Sequence, residues 1–363
     1  MLRPPLNNSP SQALPLVPAN QFSREEIVNG ILDLTDQVAS TALSGPIGVG
    51  KSFVALTVLH HNRTKAKFGG NRHHVPCGNL HNSLEGFLER LSGAIGISRT
   101  TDIGQLRSHL ESSPPLILLL DGVDSVLDPL APEAEDINLT IEEFGCYKHV
   151  CLLTTSRMSP EISGFHRVEV PTLSGSDARD IFYGHCTLDR SPVVDDLIAR
   201  LDFHPLSIDL LASAVRENCW DELALLKVRD ELTLPKVWEG DQNGVLKAQY
   251  RKSLKDVVGR SLSLPTIQKL GTAAREVLEA FAAFPYGVEE RKLESTFPNI
   301  TGVVGAVDVL CKSSLLYRQG GFVKMISLFR FYFLASMLEP SQDAEPVHWD
   351  TANRNAAEAC TSF

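Results

Sequence analysis

The sequence predicts an α/β fold, with a parallel sheet carrying helices on both faces, followed by a small helical domain and a further domain of helices that ends in a hairpin. Three observations predict it. From about residue 21 to 172, the short apolar runs "TALSG", "RHHVPC", "LILLLDGVD" and "HVCLLTTSR" alternate with helix-length segments such as "SLEGFLERLSGAIGI". Strands of that kind are buried on both faces and joined by helical crossovers. From Ser174 to about Leu234, "SGSDARDIFYGHC" and "VVDDLIARLDFHPLSIDLLASAV" read as helices with Ser and Asp caps and no strong strand. From about Lys247, the helical "TIQKLGTAAREVLEAFAAF" gives way to "SSLLYRQGGFVKMIS", in which Gly320 and Gly321 separate two apolar runs. The expected boundaries are a flexible lead at 1–20, the sheet domain at 21–172, the helical domain at 173–240, the hairpin domain at 241–338 and a polar tail at 339–363.

Composition narrows the function. With 363 residues, 43% of them hydrophobic and 21% charged, the chain can bury a substantial core. A formal net charge of -10 argues against a nonspecific nucleic-acid binder, which needs a basic surface to release phosphate counterions. Seven scattered cysteines contain no C-x-x-C pair, which suggests neither a zinc cage nor a disulfide framework and points to a reducing, cytoplasmic setting. The lead lacks the apolar block of a secretory signal, and the apolar "ISLFRFYFLASML" is interrupted by Arg330, so no membrane role is expected.

The first strand opens into "LSGPIGVGKSFVAL", and Gly45, Gly50, Lys51 and Ser52 fit G-x-x-x-x-G-K-[ST]. Average residue usage produces that pattern by accident in roughly one chain in a hundred of this length. Here it sits between a small apolar run and a helical one, the order a phosphate-binding loop requires. Gly45, Gly48 and Gly50 leave room for backbone N–H groups to wrap phosphate oxygens, and the positive end of the next helix favours an anion. Lys51 would neutralise β- and γ-phosphates, and the Ser52 hydroxyl would complete a Mg²⁺ shell. Pro46, Val49 and Phe53 complete the expected nucleotide-contacting stretch.

The run Leu116 to Ser125 delivers Asp121 to the C-terminal edge of the sheet, where a carboxylate can hold Mg²⁺. Asp124 could orient or deprotonate an attacking water, or simply cap the next element. The run Cys151 to Arg157 ends in a cation that can reach a terminal phosphate and tell ATP from ADP; a solvated arginine is the alternative.

In order, the phosphate loop, "LLLDGVD", "TTSR", "HPLS" at His204 to Ser207 and the terminal hairpin resemble the STAND class of P-loop ATPases, in particular its NB-ARC and NACHT modules. "QFSREEIVNGIL", "AAFPYGVEE" and "GFVKMISLFRFY" are similar to segments of fungal STAND proteins with an NB-ARC-like core, and the resemblance covers roughly residues 20 to 338. It implies a P-loop NTPase domain, a helical lid and a winged helix. It also implies that Arg24 lies beside the adenine and that Pro205 packs against the base. Two departures stand out. Ile326 occupies the place of a histidine that contacts the ADP β-phosphate, and Phe331 that of an acidic residue.

The function expected is an ATP/ADP-binding signalling switch with slow Mg²⁺-dependent hydrolysis and self-association in the ATP state. The alternatives are an AAA+ ATPase of the origin-recognition type, whose wing would touch DNA, and a nucleotide-binding scaffold without turnover. Lys247, Arg251, Lys252, Lys255 and Arg260 could serve the DNA-binding reading, although such charges usually mark a solvated helix face.

Overall fold

A strand buried on both faces must divide its side chains between two cores, and Leu116–Asp121 (β3) does so. Leu116, Leu118 and Leu120 pack with Phe87, Leu91, Leu106, Ile137 and Phe144, whereas Ile117 and Leu119 pack with Ile31, Leu32, Val54, Val58 and Phe68. The computed structural model describes residues 14–17, 24–226 and 262–333, with interruptions at 79–82, 98, 158–160, 187, 218–220, 224, 263–264, 285–286, 314, 327–328 and 331. The charged stretch from Lys247 to Arg260, Ser327, Phe331, the start of the "QFSREE" segment and the tail lie outside the described residues.

Helices Glu25–Asp36 (α1), Lys51–His60 (α2) and Asn62–Phe68 (α3) bear on one face of the sheet. Leu84–Ala94 (α4), Ile103–Ser112 (α5) and Ala134–Gly145 (α6) bear on the other. The remaining strands are Thr41–Ser44 (β1), Arg72–Pro76 (β2), Val150–Ser156 (β4) and His166–Glu169 (β5). Their order is β2-β3-β4-β1-β5, and every neighbouring pair is parallel. This is the α/β P-loop NTPase sheet, with helices on both faces. The four apolar runs expected as strands are all strands. β5 is an addition that periodicity does not signal. His166, Arg167 and Glu169 are exposed, and the strand is held by backbone pairing to β1.

Local capping explains several helix starts. Ser83 Oγ accepts from Gly86 N at 3.1 Å ahead of α4, and Asp102 Oδ1 accepts from Gly104 N at 2.8 Å ahead of α5. Both satisfy donors that a helix N-terminus leaves open.

Chain contacts divide the protein into residues 1–171 and 172–363. The second unit begins with Gly175–His185 (α7), Pro192–Arg200 (α8) and Pro205–Glu217 (α9), and α7 packs on both of the others. Ser174 and Ser191 cap α7 and α8 as the sequence implies. The segment "TIQKLGTAAREVLEAFAAF" is two helices rather than one, Pro265–Gln268 and Thr272–Ala282. Gly271, at φ 58°, separates them with a positive φ that a continuous right-handed helix excludes. Val288–Glu289 (β6), Leu316–Gln319 (β7) and Phe322–Met325 (β8) form an antiparallel sheet of order β6-β8-β7. The expected hairpin is β7-β8. Its two-residue turn puts Gly320 at φ 60° and Gly321 at φ 81°, the paired positive φ values that match strand twist. Among the described residues no helix is long and apolar enough to cross a membrane.

The two-faced burial of β3 makes a direct prediction. Leu119 is fully buried, so Leu119→Ala should destabilise the first unit by about 2–5 kcal/mol, read as a shift in the denaturant midpoint without a change in slope.

Candidate functional site

The strand order brings the C-terminal ends of β1, β4 and β3 side by side, and the candidate site is built on them. β1 stops at Ser44, residues 45–50 turn, and α2 begins at Lys51. Gly45, Gly48 and Gly50 have φ of 144°, 76° and 98°. At Gly45 a Cβ would lie 2.8 Å from the Val170 carbonyl oxygen, so the turn needs glycine for space as well as for φ. Gly50 is the N-cap of α2 and has no side chain to offer, so the helix start keeps its positive pole for an external acceptor.

Lys51 is 9% exposed, and its Nζ donates to the carbonyls of Gly45 and Pro46, each at 2.8 Å. Burial lowers its pKa to about 8; Asp124 and Asp121 oppose that shift and Arg157 adds to it. Val49 is fully buried, and Phe53 packs against the core beneath the loop. These two side chains support the loop, and what they offer a ligand is backbone.

Asp121 ends β3. Its Oδ1 accepts from Ser52 Oγ at 2.7 Å and from Thr155 Oγ1 at 2.5 Å, which ties together α2, β3 and β4. Gly122 N donates to Thr155 Oγ1 at 2.9 Å, so the strand end itself is pinned. His74, on β2, brings Nε2 to 3.6 Å from Asp121 Oδ2, a close approach but longer than a hydrogen bond. Burial pushes the Asp121 carboxyl up, but His74, Thr155 and Ser52 together more than offset it and hold the group below its ordinary range. The carboxylate is therefore ionised at neutral pH. It forms with the Ser52 hydroxyl a pair of hard oxygen donors, the kind that suits Mg²⁺.

Asp124, which is 6% exposed, does not stand ready for water. Its Oδ2 accepts from Arg157 Nε at 2.7 Å, its Oδ1 accepts from Arg157 N at 3.1 Å, and Arg157 Nη2 completes a fork on Oδ2. The expected water-orienting acid and the expected phosphate sensor are thus each other's partners. The alternative of a solvated arginine is excluded, since the Arg157 side chain is 11% exposed. Arg24 is buried beside the loop and donates to Val49 O at 2.9 Å and to Pro171 O.

Pro205 is buried as the first residue of α9 in the second unit, after His204, whose Nδ1 lies 3.2 Å from Ser207 Oγ. Met325 ends β8, and both it and Ile326 are buried, at 5% and 3% exposure. Neither side chain offers a donor to phosphate. Two site residues escape the sequence reading, His74 and Thr155. Strand register is what places them, since Pro76 and Thr155 are the partners of Asp121 on either side.

No family profile matches the chain, and no curated protein matches it in sequence. Solved structures do. A Walker-type ATPase of Pyrococcus abyssi is similar with a TM-score of 0.59 at 12% identity, covering 86% of this chain and 96% of that one. The ORC1 protein of Aeropyrum pernix in complex with DNA gives 0.47 at 18% identity, covering 89% and 96%. A STAND protein with a tetratricopeptide repeat sensor from Pyrococcus horikoshii gives 0.37 at 13% identity, covering 92% of this chain and 45% of that one. The first likeness agrees with the sheet order and the glycine loop on the P-loop NTPase fold.

The buried Asp124–Arg157 pair makes a stability prediction. Arg157→Leu should cost about 3–5 kcal/mol by leaving the carboxylate without its cation. Adding Asp124→Asn should recover part of that loss, and a double-mutant cycle in denaturant measures the coupling.

Proposed function

We propose that the chain is an ATP/ADP-binding signalling switch of the STAND type, working in the cytoplasm, in which slow Mg²⁺-dependent hydrolysis acts as reset. The observation that supports it most is the gathering of four groups at one sheet edge: a glycine loop opening a helix, Lys51, the Ser52–Asp121 pair and Arg157. Phosphate oxygens would take the Lys51 ammonium from the Gly45 and Pro46 carbonyls. Ser52 and Asp121 would hold the cation, and Mg²⁺, when bound, neutralises charge developing between the β- and γ-phosphates.

The Asp124–Arg157 pair supplies a switching logic. A γ-phosphate competes with Asp124 for the guanidinium, whereas a diphosphate leaves the pair intact. The carboxylate freed by that exchange is then the group that orients water. A ligand shifts a conformational equilibrium only by its differential affinity for the two states, and this exchange is a contact that differs between ATP and ADP.

The wider cycle follows the resemblance. Arg24 would lie beside the adenine and Pro205 against the base. The expected parts are the nucleotide domain (21–172), the lid (173–240) and the winged helix (241–338), and exchange of ADP for ATP would free the core to self-associate. The Ile326 side chain has no hydrogen bond to give a β-phosphate, so the closed state would have to be held by other contacts. A second reading, an AAA+ ATPase of the origin-recognition type, would use the same nucleotide site and present the β7-β8 hairpin to DNA. The net charge of -10 speaks against it, and salt-sensitive duplex binding would favour it.

Two variants test the nucleotide reading. Lys51→Ala should weaken binding of a fluorescent ATP analogue by about 1.5–3 kcal/mol, the worth of a charged hydrogen bond, which is about ten- to hundredfold. Asp121→Asn should retain most of the binding and lose Mg²⁺-dependent phosphate release; turnover equal to the parent's would remove Asp121 from the metal site.

A further inference from the structure

We propose that His74 is a positioning residue for Asp121: its Nε2–H donates to Asp121 Oδ2 and fixes the carboxylate's orientation toward the divalent cation that accompanies the nucleotide. The inference rests on the nucleotide-site reading above.

Three observations carry it. First, His74 Nε2 is buried and has no hydrogen-bond partner among the described residues. Leaving such a nitrogen unpaired costs about 1–3 kcal/mol, and it sits 3.6 Å from the one carboxylate assigned to the metal. Second, the two oxygens of Asp121 are unequally served. Oδ1 accepts from both hydroxyls, of Ser52 and Thr155, while Oδ2 has the His74 Nε2 at 3.6 Å. Third, the placement is built by the sheet. β2 pairs with β3 in a register that sets His74 opposite Leu119 and Pro76 opposite Asp121, so the imidazole is carried on a rigid strand.

The consequence concerns what happens when Ser52 turns its oxygen to a cation. Asp121 then loses one donor at the moment its orientation matters most. The gap to His74 exceeds a good N–H···O distance by about 0.6 Å, which a small rotation of either side chain closes. Carboxylates that hold metals are ordinarily fixed by such outer hydrogen bonds, and removing one costs about 10–100-fold in metal affinity. A histidine that served packing alone would place no demand on a donor at Nε2.

The test is binding of a fluorescent ADP or ATP analogue, titrated with and without Mg²⁺, to the full chain and to His74→Ala, His74→Phe and His74→Gln, with thermal melts confirming that each variant folds. Metal-free affinity should stay within about twofold of the parent in all three. The Mg²⁺ concentration needed for half-maximal enhancement should rise about 10–100-fold in His74→Ala and His74→Phe. His74→Gln, which can bring an amide N–H to the same place, should recover most of the loss. A parental Mg²⁺ dependence in His74→Ala would overturn the proposal, as would a His74→Gln variant as impaired as His74→Ala. If the parent binds no nucleotide under any condition, the site reading falls and takes this inference with it. If the parent binds and only the His74 effect is missing, this inference falls alone.

Discussion

A carboxylate kept charged at the edge of a buried sheet is the constraint on which the first unit depends. Asp121 ends a strand whose five preceding residues are all buried, and burial by itself drives a carboxyl toward its neutral form. What holds it ionised comes from other segments: hydroxyl donors from Ser52 on α2 and Thr155 on β4, and the nearby imidazole of His74 on β2. They can meet only because β3 lies between β2 and β4, with β1 next in line. The topology is therefore an electrostatic arrangement as well as a packing one. It brings the glycine loop, the charged acid and the guanidinium of Arg157 to the same edge.

What the sequence revealed follows from what burial imposes. Strands buried on both faces must be apolar throughout, so β1, β3 and β4 read directly, and the loop reads because its positive φ values require glycine at spaced positions. β5 does not read, since three of its four side chains face solvent, only Val168 touches the core, and the strand is paired to β1 through backbone hydrogen bonds, which leave no trace in residue type. The break at Gly271 is likewise hidden. The apolar spacing continues across it, and one glycine within a helical pattern costs only about 1 kcal/mol. At the site, Lys51, Ser52 and Asp121 are legible because their chemistry is local to a motif. The pairing of Asp124 with Arg157 spans 33 residues and arises from strand adjacency. His74 is an ordinary strand residue until the register of β2 on β3 is known.

The second unit carries a different lesson. Its hairpin is legible because two adjacent glycines have little other use between apolar runs, and its helix starts because serine caps are local. Met325 and Ile326, where the sequence resemblance implies a phosphate-contact motif, are buried apolar side chains. A likeness at 12% identity transfers the path of the backbone and leaves the chemistry of each contact to be read from this chain's own atoms.

Where the chain leaves the first unit, it is bound to the glycine loop. Val170 N donates to Ser44 O at 2.8 Å, Gly45 sits too close to the Val170 carbonyl to accept any side chain, and the Arg24 guanidinium joins Val49 O to Pro171 O. Loop and exit thus form a single mechanical piece. A substitution at Gly45 therefore acts on the exit as directly as on the loop, because the atom that its side chain would first displace belongs to Val170.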